Sequence, residues 1–580
     1  GLEPWGLRGA VFNGKEFFPE RAEAVKDASL AFWKALRTEL GDLPLATRGT
    51  NLSTGMDLAS DGVPLRELYA GGFNFEPPPN SPWAALNGDF GLELIGWMSH
   101  IAELPGRDYP FRFYIHDPWF LNSPWLDRYG RQPHDIYLPL AVSRIDAAGE
   151  VSTPNSQLLL TVDDSHGELP DQVPQEVLPH LLDAWRTAPD EPGPLVWVYP
   201  FAEYHEWTFG SLDRIKEVFF GDWFMRGAVN AGLPLNTVVS TTSLPSALGR
   251  LAESLLVSPV PDAGSAWEEA LLGHIIRGGK ALLYGPLRHV GPELLEALRV
   301  DLTEPLEGDF ELAFACEQDL IETTSFPTRL AHSAFLSGGG LEATPREGAA
   351  PPFAVAIQDG AQRVAATLAQ VGEGTLAWVR GTVACDPERT TGHLLVPLET
   401  EHFFPAEILM RYALAQLGIQ LFADCDSPRQ RPPLVTISRN QGAWYFAGYN
   451  PDTTVDLRLR LPEGAPLFIG RETRLVEGRA ANCLPRAWRH ECRVFISEQR
   501  SGLLSCVEQF AGEVGIRRRL CITGLENATV RFFPVPGTEA RVQLLRSPVH
   551  PYMEGDFLTP EREGKALLAR NVTGELLISW

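Results

Sequence analysis

The 580-residue chain carries a formal charge of −25, from 49 basic and 74 acidic residues. A field of that sign repels nucleic acid and anionic membrane surfaces, so neither is an expected partner. Seven cysteines in a chain this long make no disulfide framework, and no CxxC pair offers a structural zinc site, so no metal or other cofactor is expected.

At roughly 100–200 residues per domain, about three to five domains are expected. No run reaches the ~18 apolar residues that a membrane helix requires. The start, Gly-Leu-Glu, holds no signal peptide. A signal can be cleaved, so a soluble protein of the cytoplasm, the periplasm or the extracellular space is equally compatible. Trp occurs 15 times, and flat aromatic faces suit the C–H faces of sugar rings.

In chain order, Glu20–Leu40 has helical apolar spacing. Short apolar runs follow at Gly72–Glu76, Phe111–Asp117, Leu158–Asp164, Leu195–Glu206 and Leu235–Ser240, each strand-like in its β-branched or aromatic content. Helical segments at Gln175–Trp185 and Leu212–Asn230 lie between them. Such alternation predicts a parallel α/β architecture, assigned to a (β/α)8-barrel-like catalytic domain over 1–245. A βαβα pattern follows over 246–335: strand Glu253–Pro259, helix Ser265–Gly278, strand Gly279–Pro286 and helix Glu293–Arg299. It predicts a flavodoxin-like domain. Residues 336–430 read as a linker, rich in Gly and Pro over Ser337–Pro352, and a mixed segment with a helix at Pro405–Leu417. From 431 to 580, strands recur at short spacing, including Val435–Arg439, Trp444–Tyr449 and Ala528–Pro534. They predict one or two antiparallel β-sandwiches. Cys483, Cys492, Cys506 and Cys521 fall in this part and are expected to be free thiols.

Chemistry in α/β barrels sits where strands finish. Here the strand ends carry Glu76, His116 and Asp117, Asp163 and Asp164, and the cluster Tyr199-Pro-Phe-Ala-Glu203-Tyr204-His205-Glu206-Trp207. Glycoside cleavage requires two carboxyls, about 5–5.5 Å apart for retention and about 6.5–9.5 Å for inversion. Glu203 and Glu206 are the leading candidates, with Asp117 and Glu76 as partners and His205 as a further acid or base. Tyr199, Tyr204, Trp207, Trp119, His116, Asp163 and Asp164 are candidate sugar contacts. The plain alternative for each is a solvated turn or a core aromatic. Arg128, Arg131, His134 and Tyr137 lie in a donor-rich segment suited to clamping a carboxylate.

The layout resembles the clan A glycoside hydrolases of the β-galactosidase type that carry a flavodoxin-like trimerisation domain. The run LLVSPVPDAGSAWEEALLGHIIRGGKALLYGP (Leu255–Pro286) is similar to the strand, helix, Gly-Gly and strand of that domain. The resemblance implies a glycosidase acting on an oligo- or polysaccharide, with Glu203 or Glu206, at the end of the seventh barrel strand, in the nucleophile's place and Glu76, Asp117 or Asp163 as the acid. It also implies a homo-oligomer, dimer or trimer. Where that family has Asn-Glu on the fourth strand, this chain has Asn74-Phe75-Glu76. Two alternatives stand beside the hydrolase: a glycan lyase using His and Tyr with an Arg clamp, and a non-catalytic glycan-binding barrel.

Overall fold

The computed structural model describes residues 10–46, 52–73, 75–76, 89–114, 124–127, 130–160, 171–315, 326–385, 402–425, 431–511, 515–547 and 555–580. The fold is α/β with a β-rich C-terminal part. The chain divides into two compact units, one of Gly1–Arg186 with Pro192–Ala413, the other of Thr187–Glu191 with Leu414–Trp580.

In the first unit the strands up to residue 160 are short. β1 (Leu45–Ala46) pairs in parallel with β2 (Phe75–Glu76). β3 (Pro110–Tyr114) pairs in parallel with β6 (Ser156–Leu160), and β5 (Val151–Ser152) runs antiparallel to β4 (Ser143–Ile145). The main sheet is built from β7 (Leu195–Tyr199), β8 (Thr237–Ser240), β9 (Leu255–Pro259), β10 (Lys280–Tyr284) and β11 (Gly374–Val379). Their spatial order is β8-β7-β9-β10-β11, all parallel, with β4 beyond β8. Counted from β7, this is the 2-1-3-4-5 order of flavodoxin-like folds. Antiparallel strands including Ala361–Val371 extend the sheet beyond β11, and among the described residues no pairing closes it into a ring.

This order places β7 differently from the sequence reading. The strand assigned to a barrel's seventh position is hydrogen-bonded on one side to β8 and on the other to β9, at the centre of the flavodoxin-like sheet. That sheet therefore starts near residue 195, whereas the sequence reading put its start at 246. The Gly/Pro-rich stretch read as a linker contains strand Leu341–Pro345, paired antiparallel with Val300–Leu306.

The residues account for the sheet. Every position of β7, β8 and β9 is buried. Parallel strands covered on both faces are near-continuously apolar, as LVWVY is and as LLVSP is but for Ser258. The helices used below are α1 (Ala22–Leu40), α2 (Thr54–Asp61), α3 (Leu65–Ala70), α4 (Phe90–Ile101), α5 (Gln172–Arg186), α6 (Phe201–Gly210), α7 (Ile215–Asn230) and α8 (Ala266–Ile276). α7 packs on α2 and α4. α8 starts where the Ser265 hydroxyl accepts from Glu268 N at 3.0 Å and stops before Gly278, whose φ of +102° favours glycine.

The second unit is antiparallel. Strand Gln420–Asp424 pairs with Val455–Arg460, which draws residues after Ala413 into it, ahead of the expected start at 431. Side chains alternate in and out and fill two apolar cores, one around Phe446, Leu457 and Phe495, the other around Leu520, Ile522 and Ile578. Its cysteines are free, with Cys492, Cys506 and Cys521 buried and Cys483 exposed.

Candidate active site

The motif after β7 is a helix. Pro200 stands at the N-cap, and α6 runs from Phe201 to Gly210. Phe201, Tyr204, His205 and Thr208 are its buried residues at helical spacing, and Trp207 joins them. Glu206 lies on the outer face, exposed and paired with Arg66 at 3.2 Å. Glu203 is half-buried and accepts a hydrogen bond from Thr241 Oγ1 at 2.7 Å. Thr241 directly follows β8, so this carboxyl sits at the carboxyl ends of β7 and β8. Burial raises its pKa above the usual range for a glutamate, and Glu206 and Glu103 add to that, against the Thr241 hydrogen bond.

His205, read from the sequence as an acid or base, has both nitrogens engaged by backbone. Its Nδ1 lies 2.6 Å from the Phe201 carbonyl, and its Nε2 accepts from Arg66 N at 3.0 Å. A carbonyl only accepts and an amide N–H only donates, so these partners assign the neutral ring with the proton on Nδ1. Burial lowers its pKa to about 4. The ring ties α3 to α6 and has no nitrogen left for substrate.

Tyr199, read as a sugar contact, points into the core. Its hydroxyl donates to Asp222 Oδ2 at 3.0 Å, which also accepts from Gly55 N at 2.8 Å. Any side chain at position 55 would strike this carboxyl, since a Cβ there would lie 2.6 Å from Oδ2. Burial raises the Asp222 pKa to about 7. Tyr204 stacks edge-on to Tyr199, and its hydroxyl occupies the space a side chain at Gly221 would fill.

A small pocket lies beside α6, at the carboxyl ends of β9 and β10. Tyr204, Trp207 and Val260 give it apolar walls, and Arg214, Glu217 and His289 its polar side. The Arg214 guanidinium lies 3.5 Å from the Trp207 ring centroid and donates through Nη1 to both Asp262 oxygens, at 2.7 and 2.8 Å. Glu217 accepts from Arg214 Nη2 at 3.0 Å and Arg288 Nε at 2.9 Å, with His289 Nε2 at 3.4 Å. Burial alone would raise its pKa, but His289, Arg214 and Arg288 hold it at about 2.

The remaining candidates are spread elsewhere. His116, Asp117, Trp119, Arg128, Asp163 and Asp164 lie outside the described residues. Glu76 ends β2, where only its backbone is described, opposite Ala46. Arg131 pairs with Glu176 at 3.0 Å, and the Tyr137 hydroxyl lies 3.1 Å from His180 Nδ1 and 3.2 Å from Asp183 Oδ2, all three partners on α5. His134 is buried against the edge of Phe90. Sequence reasoning missed Thr241, Arg66, Arg214, Glu217 and His289. Only the Arg214–Glu217 spacing of three residues gave a local signal. The others are brought in by strand order. Among the described residues, no group of three or more His, Cys, Asp or Glu is placed to hold a metal ion, and no helix is long and apolar enough to cross a membrane.

No family model matches the chain, and no curated protein matches it. Solved structures similar to it include a catalytic mutant of Gan42B, a GH42 β-galactosidase from G. stearothermophilus, at 12% identity and a TM-score of 0.45, covering 83% of this chain and 68% of that one. A β-galactosidase from Bacillus circulans sp. alkalophilus gives 11% and 0.46, covering 85% and 70%. A cold-adapted β-galactosidase from Rahnella sp. R3 gives 12% and 0.43, covering 83% and 68%.

Proposed function

We propose that this chain is a glycoside hydrolase in which Glu203 is the proton donor to the leaving oxygen. The observation that carries the reading is the placement of its carboxyl. It is half-buried at the carboxyl ends of two parallel strands, and burial favours its protonated form. A glycosidase acid must hold its proton until the glycosidic bond breaks, and an upward pKa shift works in that direction. The carboxylate that completes the pair is drawn from Glu76, Asp117 and Asp163, the strand-end acids of the sequence. Glu206 is a poor choice, being exposed and neutralised by Arg66. The lyase alternative draws no support from Arg131 or Tyr137, which are bonded to side chains of α5.

The test is turnover of oligosaccharides by wild type, Glu203→Gln and Glu206→Gln. Loss of a general acid lowers kcat about 10²–10⁴-fold, expected for Glu203→Gln only. Full turnover by Glu203→Gln would overturn the assignment. An ultraviolet-absorbing, unsaturated product would overturn hydrolysis itself.

A further inference from the structure

Helix α5 carries two apolar stripes, and the fold buries one. Val173, Val177, Leu181 and Ala184 face inward and are buried. On the same side, Glu176 accepts from Trp125 Nε1 at 2.8 Å, and His180 and Asp183 meet the Tyr137 hydroxyl. The outward side is apolar as well. Leu178, Leu182 and Trp185 are 43%, 53% and 48% exposed, and Pro179 beside them is exposed too. Among the exposed residues of α5 only Arg186 is charged. A surface helix ordinarily turns polar and charged residues outward, and one that is apolar on both sides is covered on both sides. Large apolar side chains left together on a surface mark an interaction site.

We propose that this face pairs with the same face of a second copy of the chain, the two α5 helices running antiparallel about a two-fold axis. Asp171, Gln175, Leu178, Leu182 and Trp185 follow one another at steps of four, three, four and three, the spacing of a helix–helix seam. With the axis near position 180, Leu178 packs against the partner's Leu182, and Gln175 packs against the partner's Trp185. Two-fold symmetry makes each contact twice. Trp185 contributes the large rigid ring that anchors small interfaces.

Charge selects the occupant and its direction. At −25, two copies of the chain repel, so they meet only where the surface is locally neutral. The α5 face is such a patch, with Asp171 at its start and Arg186 at its end. Both are exposed, and neither has an ion pair among the described residues. Antiparallel pairing brings Arg186 of each copy within about one helical turn of Asp171 of the other, a gap that an Arg side chain spans. Parallel pairing would set like charges side by side at both ends. A single helix seam is small against the roughly 800 Å² per partner of a tight complex, so the dimer forms in the micromolar range. Glu203 lies on α6, so the pairing is independent of the glycosidase reading.

The experiment is sedimentation velocity on the whole chain across the micromolar range. A concentration-dependent shift from monomer to dimer is expected. Leu182→Glu sets a carboxylate against the partner's Leu178 and is expected to keep the chain monomeric throughout. Trp185→Ala is expected to raise the dissociation constant about tenfold. Arg186→Asp is expected to weaken the dimer several-fold, and adding Asp171→Arg to restore it, a rescue that a folding defect cannot produce. A chain that stays monomeric at every concentration would overturn the proposal. So would an assembly of any size that both Leu182→Glu and Trp185→Ala leave intact, or an exchanged charge pair that fails to recover what Arg186→Asp lost.

Discussion

Helix α7 carries two buried carboxyls, Glu217 and Asp222, in opposite electrostatic settings. Five residues apart at 3.6 per turn, they project to different sides of the helix. Glu217 faces Arg214, Arg288 and His289 and is held ionised, with a pKa of about 2. Asp222 faces the Tyr199 hydroxyl and the Gly55 amide, neither of them charged, and keeps its proton up to about pH 7. Burial is similar at the two sites, so partners decide which form survives. Glu203 shares one feature with Asp222: a hydroxyl is its hydrogen-bond partner, and burial raises its pKa above the ordinary glutamate value.

The contrast can be broken at either site. Glu217→Gln would leave Arg214 buried beside a neutral amide. Removing one partner of a buried ion pair costs about 3–5 kcal/mol, and chemical denaturation should show a loss of that size. In wild type, the Glu217 contribution is present above its unfolded pKa of about 4.3 and is lost as the pH falls through about 2.

Asp222 works in the opposite sense. Its folded pKa of about 7 lies above the unfolded value of about 3.9. Its contribution is therefore complete below about pH 4 and lost as the pH rises through about 7. Asp222→Asn keeps an oxygen for Tyr199 and Gly55 and cannot ionise. Denaturation at pH 5 and pH 8 should show a smaller pH-dependent loss than wild type, by on the order of 2 kcal/mol. A variant with the wild-type slope would place the titration elsewhere. The smallest effect is expected outside the core. Glu206→Gln removes an exposed pair with Arg66 and should change stability by less than about 1 kcal/mol.

The sequence was most legible where the signals are local. Ser265 and Gly278 bracket α8 with a cap at each end, and the late strands alternate inward and outward at period two. It was least legible where pairing decides. LVWVY reads as a buried strand in either a barrel or an open sheet, and only its hydrogen bonds to both β8 and β9 choose between them. The turn from β7 into α6 was hidden because one apolar, aromatic run crosses Pro200 without a polar break. Glu203 was among the candidates, but its partner Thr241 lies 38 positions away and is brought near only by the parallel pairing of β7 with β8.

The central claim is that Glu203 delivers the proton to the leaving group. Its most direct test compares wild type and Glu203→Gln on two aryl glycosides of a sugar the enzyme accepts, one with a phenol leaving group and one with dinitrophenol. An acidic leaving group departs without protonation, so the account predicts a kcat/KM loss of about 10²–10⁴ on the first substrate and a far smaller loss on the second. Equal losses on both substrates, or none on either, would contradict it.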